Sequence, residues 1–181
     1  MPKALVELDG ELLVDRAARV ASAAGCDPVV VVLGAEASRV VSAARLEHAV
    51  VVVNDDWSTG MSSSLRCGLA ALTDLPAGSA IVLLVDQPRV TPDVVRRLAE
   101  TWRKARPSAV VATYSGEPRN PVLLDRAVWS DLAASVSGDT GAREWLRGHA
   151  DLIATVACDD LGSAVDIDTR ADLAQLQEET R

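Results

Sequence analysis

The chain has 181 residues, 49% hydrophobic and 24% charged, with a mean hydropathy of +0.15. That is the profile of one folded domain over residues 1–181, and it excludes a disordered chain. Acidic residues (26) outnumber basic ones (18), lysine occurs only at Lys3 and Lys104, and the net charge of −8 excludes a broad basic face for nucleic acid.

With aromatics at 3% and no Phe, the core has to be built from Val, Leu and Ala. Leu12–Ala24 reads as a helix closed by Gly25. Val29–Leu33 and Ala49–Val53 are near-continuous apolar runs, with the helical pattern Ala35–Leu46 between them. Ser62–Leu72 is a third helix, opened by a run of serines. Ile81–Val85 is a further apolar run, followed by a helix over Thr91–Ala105 with Thr91 as N-cap and Pro92 at its first position. Ala109–Ala112 is the last of these runs. Apolar runs of this length read as strands buried on both faces, and their alternation with helices predicts an α/β doubly wound, mostly parallel sheet.

Beyond residue 113 the rhythm changes. Tyr114–Arg119 is polar and turn-rich, and Pro121–Leu124 is a short apolar piece. Val128–Val136 and Thr140–Arg147 read as helices, Leu152–Ala157 as a strand, and Thr169–Glu178 as a helix with Thr169 as N-cap and Asp172 at N3. Nothing in this half marks a domain boundary.

Cys26, Cys67 and Cys158 have neither zinc nor redox spacing and read as free thiols in a reducing cytoplasm. No basic-then-apolar segment opens the chain, and its longest apolar runs have strand length, so neither a signal peptide nor a membrane partner is expected. His48 and His149 lie outside any nucleophile constellation. Trp102, Trp129 and Trp145 occupy helical positions and read as core, whereas Trp57 lies in a polar loop, where it either covers a flat ring or packs on its own loop.

In an open α/β sheet, ligands bind beyond the carboxyl ends of the strands. That rule selects Asn54–Ser64, Asp86-Gln87-Pro88 and, before the last helix, Asp166-Ile167-Asp168-Thr169. Asp86 directly follows a strongly apolar run. A carboxylate there either caps a turn or holds a hard cation such as Mg2+. Asp168 has the matching alternative of favouring a helix dipole. Two such carboxylates on loops that one sheet can bring together favour the cation. Gly60-Met61-Ser62-Ser63-Ser64 places small residues at a helix start, suited to a phosphate as well as to plain capping. For Gly138–Arg143, composition alone favours an ordinary turn capped by Asp139 or Thr140.

Taken together and in order, several pieces resemble the molybdenum-cofactor nucleotidyltransferase-like family, with the stronger likeness to its cytidylyltransferase branch. They are Pro2-Lys3-Ala4-Leu5, Asn54-Asp55-Asp56-Trp57, Gly60-Met61-Ser62-Ser63-Ser64-Leu65, Asp86-Gln87-Pro88, Asn120-Pro121-Val122-Leu123, Gly138–Arg143 and Asp166–Thr169. The resemblance runs from Pro2 to about Leu176. It implies a three-layer Rossmann-like fold of the nucleotide-diphospho-sugar transferase type. It implies Asp86 as the main Mg2+ ligand and Asp168 as the second, with Asp166 a further candidate, and Lys3 on the NTP phosphates. Asn54, Gly60, Ser62, Ser63, Ser64 and Asp86 would touch the nucleotide, and Gln87, Pro88, Asn120, Pro121, Asp139 and Gly141 the acceptor. The implied reaction is attack of a molybdopterin phosphate on the α-phosphorus of an NTP, with CTP as the first candidate and pyrophosphate released. A molybdoenzyme receiving the cofactor is the implied protein partner. Such transfer needs positioning and charge neutralisation more than a general base.

The family's first strand and Gly-rich loop lie just before the Pro-Lys pair, where this chain has only Met1. The expectation is that about 15 to 20 native residues precede it, one strand and a short loop; the alternative is a natural short form that binds nucleotide poorly. Two rivals follow within and outside the class: guanylyl or other nucleotidyl transfer to a different phosphate, and a non-catalytic cofactor chaperone. A nicotinamide dehydrogenase is disfavoured, because no G-x-G-x-x-G follows any predicted strand.

Overall fold

A computed structural model describes residues 2–179. After a 3-10 turn at Lys3–Leu5, strands β1 (Glu7–Leu8) and β2 (Glu11–Leu12) form a small hairpin. Its Asp9-Gly10 turn has positive φ at both residues, the conformation that suits the twist of paired strands. Helix α1 (Leu13–Ala23), β3 (Val30–Leu33), α2 (Ala37–Ala43) and β4 (Val50–Val53) follow, with β3 and β4 parallel and in register from Val30↔Val50 to Leu33↔Val53. Then come α3 (Met61–Leu72), β5 (Ser79–Val82), α4 (Pro92–Ala105), β6 (Ala109–Tyr114), β7 (Glu117–Asp125), α5 (Trp129–Ser135), α6 (Arg143–Gly148), β8 (Ile153–Ala157) and α7 (Arg170–Glu178). The second sheet has the order β5-β7-β6-β8.

Alternation along the strands sorts side chains into the two outer layers. Val110, Ala112 and Leu123 pack with Val94, Leu98 and Trp102 of α4 and with Val20 of α1. Ala109, Val111, Val122 and Leu124 pack on the opposite face with Leu69 of α3, Trp129 and Leu132 of α5, and Trp145 of α6. The result is the expected three-layer α/β arrangement.

Among the described residues the two sheets share no strand pairing, and helices span them instead. Helix α3 approaches β3 so closely at Gly68 that a Cβ there would lie 3.2 Å from Val32 Cγ2, while Leu69 packs on the second sheet. On the other face α1 places Val14 with Leu33, Val40 and Leu46.

The strands and helices fall near their predicted positions, with three corrections. The run predicted as a strand over Ile81–Val85 is paired only as Ser79–Val82. Its partner β7 pairs Val122 with Val82, and beyond that point β7 bulges at Asn120-Pro121, so Leu83–Val85 has no ladder to join. The polar stretch Tyr114–Arg119 is a hairpin, turned at Ser115-Gly116 with both φ positive, and this makes β7 antiparallel to both its neighbours. The helix predicted from Thr140 begins at Arg143, after a 3-10 turn at Gly138–Thr140. The serine run does not cap α3, which follows Gly60 without a side-chain cap of its own, whereas the threonine caps of α4 and α7 form. Thr91 accepts from Val94 N, and Thr169 and Asp172 make a reciprocal capping box on α7.

Candidate functional site

Three segments far apart in sequence meet where the chain leaves β5. The Lys3 ammonium donates to Asp86 Oδ2 at 2.7 Å and to Asp168 Oδ1 at 2.5 Å. The segments carrying the two carboxylates are themselves joined. Ile167 N donates to the Asp86 carbonyl at 2.8 Å, and Gln87 Nε2 donates to Asp166 Oδ1 at 2.8 Å. Ile167 anchors its segment by burial among Leu8, Leu13 and Leu176. Gln87 and Pro88 are buried, whereas the Asp168 side chain is 69% exposed and that of Asp86 19%. Burial alone would lower the Lys3 pKa. Its hydrogen bonds to Asp168 and Asp86, together with the negative charge of the two carboxylates, outweigh it, and the net shift is upward. Asp172, which receives the backbone N–H groups of Thr169 and Asp168, is held below its ordinary value chiefly by the Thr169 backbone.

A second, neutral cluster lies where the chain leaves β4. The buried Asn54 donates from Nδ2 to Ser63 Oγ at 2.8 Å and Ser64 Oγ at 3.0 Å, and its Oδ1 accepts from Asp56 N. Ser63 Oγ in turn donates to the carbonyls of Gly60 and Asp56. Ser62 is fully buried. Gly60 has φ +110°, and a Cβ on it would lie 2.5 Å from the Gly138 carbonyl and 2.7 Å from Asp139 Oδ1. Glycine is therefore required twice over, by conformation and by close approach.

The contact at Gly60 exposes one misreading. Asp139 does not cap the helix that follows it: its Oδ1 accepts from Met61 N, at the start of α3. Gly141 completes the dock, facing the Met61 sulfur. The Gly60–Ser64 and Gly138–Gly141 loops therefore pack together. Composition had no signal for this, because the bond spans 78 positions. The Gln87–Asp166 pair, separated by 79, was invisible for the same reason.

The remaining candidates are placed but not joined to either cluster by a hydrogen bond. Asn120 and the buried Pro121 sit in the β7 bulge, one step beyond the Val122–Val82 pair and so at the end of the sheet from which Leu83–Asp86 departs. Trp57 is 49% exposed and rims an open cleft of about 420 Å3 at the carboxyl ends of β3 and β4, with Gly34, Glu36, Arg39, Val53 and Asn54.

The donor set at Asp86 suits a hard divalent cation. Two carboxylates converge on one point charge, the Lys3 ammonium. Among the described residues no group of three or more His, Cys, Asp or Glu gathers for a metal, at this site or any other. Two protein carboxylates are the number typical of a cation that completes its shell with water and phosphate oxygens.

With this fold and this carboxylate pair established, the wider comparison defines the class. Residues 1–155 match the MobA-like NTP transferase domain, so the chain belongs to that family and is a nucleotidyltransferase. Nicotine blue oxidoreductase of Paenarthrobacter nicotinovorans is 38% identical over 173 residues, covering 93% of this chain and 84% of that protein. Its name denotes a different reaction class from the family's. The solved structure of Rv0371c of Mycobacterium tuberculosis H37Rv, a complex with manganese, matches with a TM-score of 0.83 at 29% identity, over 98% of this chain and 91% of that one. Molybdopterin-guanine dinucleotide biosynthesis protein A of Archaeoglobus fulgidus has the same fold, with a TM-score of 0.71 at 20% identity over 99% and 91% of the two chains. No helix among the described residues is long and apolar enough to cross a membrane.

Proposed function

We propose that this nucleotidyltransferase moves a nucleotide, CMP from CTP in the first instance, onto the phosphate of a molybdopterin-type acceptor. An acceptor phosphate oxygen bonds to the α-phosphorus, the bond from that phosphorus to the bridging oxygen of the β-phosphate breaks, and pyrophosphate leaves. The observation that carries the reading is the convergence of Asp86 and Asp168 on one cation at the carboxyl edge of the sheet. Mg2+ or Mn2+ held by these two carboxylates would neutralise the triphosphate and polarise the α-phosphoryl group. Lys3, on a flexible stem, contributes a second positive charge for the phosphates. Asn54 and Ser63 frame the nucleotide loop, in which Gly60 and Ser64 face the ligand, whereas Ser62, expected there too, is fully buried beneath it. Gln87, Pro88, Asn120, Pro121, Asp139 and Gly141 border the acceptor side. The three free thiols suit the reducing cytoplasm, where NTPs are abundant.

The experiment is pyrophosphate release from each of the four NTPs, with molybdopterin and Mg2+ or Mn2+. The reading expects release with CTP, dependent on acceptor and metal. Preference for GTP would move the chain to the guanylyl branch, and no release from any NTP sinks the proposal. The 38% identical relative favours one second reading, an oxidoreductase. Redox turnover of nicotine blue, with no pyrophosphate release from any NTP, would establish that reading instead.

A further inference from the structure

Gln87 adjoins Asp86, yet its side chain turns away from the Lys3 bridge to another residue. It is 6% exposed, its Nε2 donates to Asp166 Oδ1 at 2.8 Å, and its Oε1 has no hydrogen-bond partner among the described residues. A buried carboxamide with one half unpaired is a poor choice for stability, since an apolar side chain of the same shape would serve the core better. Its presence there calls for another use, and the geometry supplies one. Asp86 and Asp168 belong to segments that meet at three points: the Ile167 N bond to the Asp86 carbonyl, the Lys3 bridge, and the Gln87–Asp166 bond. The first is backbone and fixes only the approach of the chains. The second disappears whenever Lys3 turns to a phosphate. Only the third is a partly buried side-chain bond that persists whatever occupies the space between the carboxylates.

We propose that Gln87 is a positioning residue, which through Asp166 sets the spacing of the Asp86 and Asp168 carboxylates and so the affinity for the divalent cation. This rests on the cation reading given above. It also separates two candidates: Asp168 faces the cation, whereas Asp166 is the brace, its Oδ1 engaged by an amide donor. Gln is the residue type required. A Glu at 87 would set two carboxylates against each other, and an apolar residue would leave the Asp166–Asp168 segment tied to Asp86 only by the Ile167 backbone bond and the Lys3 bridge.

The test is Mn2+ binding to the full chain without nucleotide, followed by the loss of the free Mn2+ electron paramagnetic resonance signal, with thermal unfolding of each metal-free variant alongside. Gln87→Met is expected to weaken Mn2+ binding about tenfold, the scale for loss of an outer-shell partner, while remaining folded. Gln87→Glu should weaken it at least as much. The double variant Gln87→Glu with Asp166→Asn exchanges donor and acceptor, and should recover affinity to within about threefold of the wild type, on the same outer-shell scale. A purely structural role for Gln87 would not produce that recovery. If Gln87→Met binds Mn2+ as the wild type does while Asp86→Asn has lost it, the brace is wrong and the cation reading stands. If Asp86→Asn binds as the wild type does, the cation reading fails and takes the brace with it.

Discussion

In the Asn54–Ser64 loop the polar side chains are largely engaged with one another, whereas around Asp86 they meet across long sequence separations and stand partly open to solvent. Asn54 uses both ends of its carboxamide within ten residues, and Ser63 closes the same loop on Gly60 and Asp56. Lys3, by contrast, reaches over 83 and 165 positions to two carboxylates, one of them 69% exposed. Groups already satisfied by their neighbours hold a shape. Charged groups that share a single mobile partner can exchange it for a ligand. On the proposed function, the hydrogen-bonded Asn54–Ser63 cluster is therefore the frame of the site and the charged cluster its chemistry. Substitutions in the two regions should separate stability from turnover.

The largest contrast is expected at Asp86. Asp86→Asn keeps the shape and removes the charge, and should reduce pyrophosphate release by about a hundredfold or more, the scale for loss of one preorganised electrostatic group. Its unfolding midpoint should stay close to the wild type's. A variant that unfolds readily would instead make Asp86 part of the frame.

Gly60→Ala should show the reverse. Positive φ and a Cβ placed 2.5 Å from the Gly138 carbonyl predict a loss of about 1–3 kcal/mol in urea unfolding. Turnover per folded molecule should change less than in Asp86→Asn, and a stable Gly60→Ala protein would show that the two loops are not docked in solution.

Asn54→Ala comes next, with a loss of about 1–3 kcal/mol from hydrogen-bond partners left unsatisfied in a buried loop. Unfolding by urea should register the loss, and a neutral result would mean that water replaces the carboxamide.

The smallest effect concerns Lys3. Its pKa is raised in the folded state above the ordinary 10.5. The stability it contributes is therefore fully present below about pH 10.5 and is lost as the pH rises through the higher folded value. With the side chain 39% exposed, the contribution should stay below about 1 kcal/mol. The check is the difference in urea midpoint between wild type and Lys3→Met, which should hold steady from pH 7 to 10 and shrink above it. A difference that shrinks below pH 9 would contradict the ion-pair geometry.

Much of the fold was legible because it rests on local pattern. Val-rich runs and caps such as Thr91 and Thr169 mark elements from within a few residues. The strand β7 was harder to read, since its direction depends on a Ser115-Gly116 hairpin hidden in a polar stretch, and the end of β5 depends on where β7 bulges. The site followed the same division. Asp86 and Asp168 stood out because a carboxylate directly after an apolar run, or just before a helix, is visible one residue at a time, whereas Lys3 came only from the family resemblance. The Gln87–Asp166 brace and the Asp139 cap on α3 are pairings across about 80 positions, which no spacing in the sequence could announce.

The central claim is that nucleotidyl transfer depends on the carboxylates converging at Lys3. It is tested most directly by metal-dependent pyrophosphate release from CTP with molybdopterin, comparing wild type, Asp86→Asn and Asp168→Asn under one set of conditions. The account predicts release by the wild type and its near-complete loss in both variants while they remain folded. Equal release by all three proteins would contradict it.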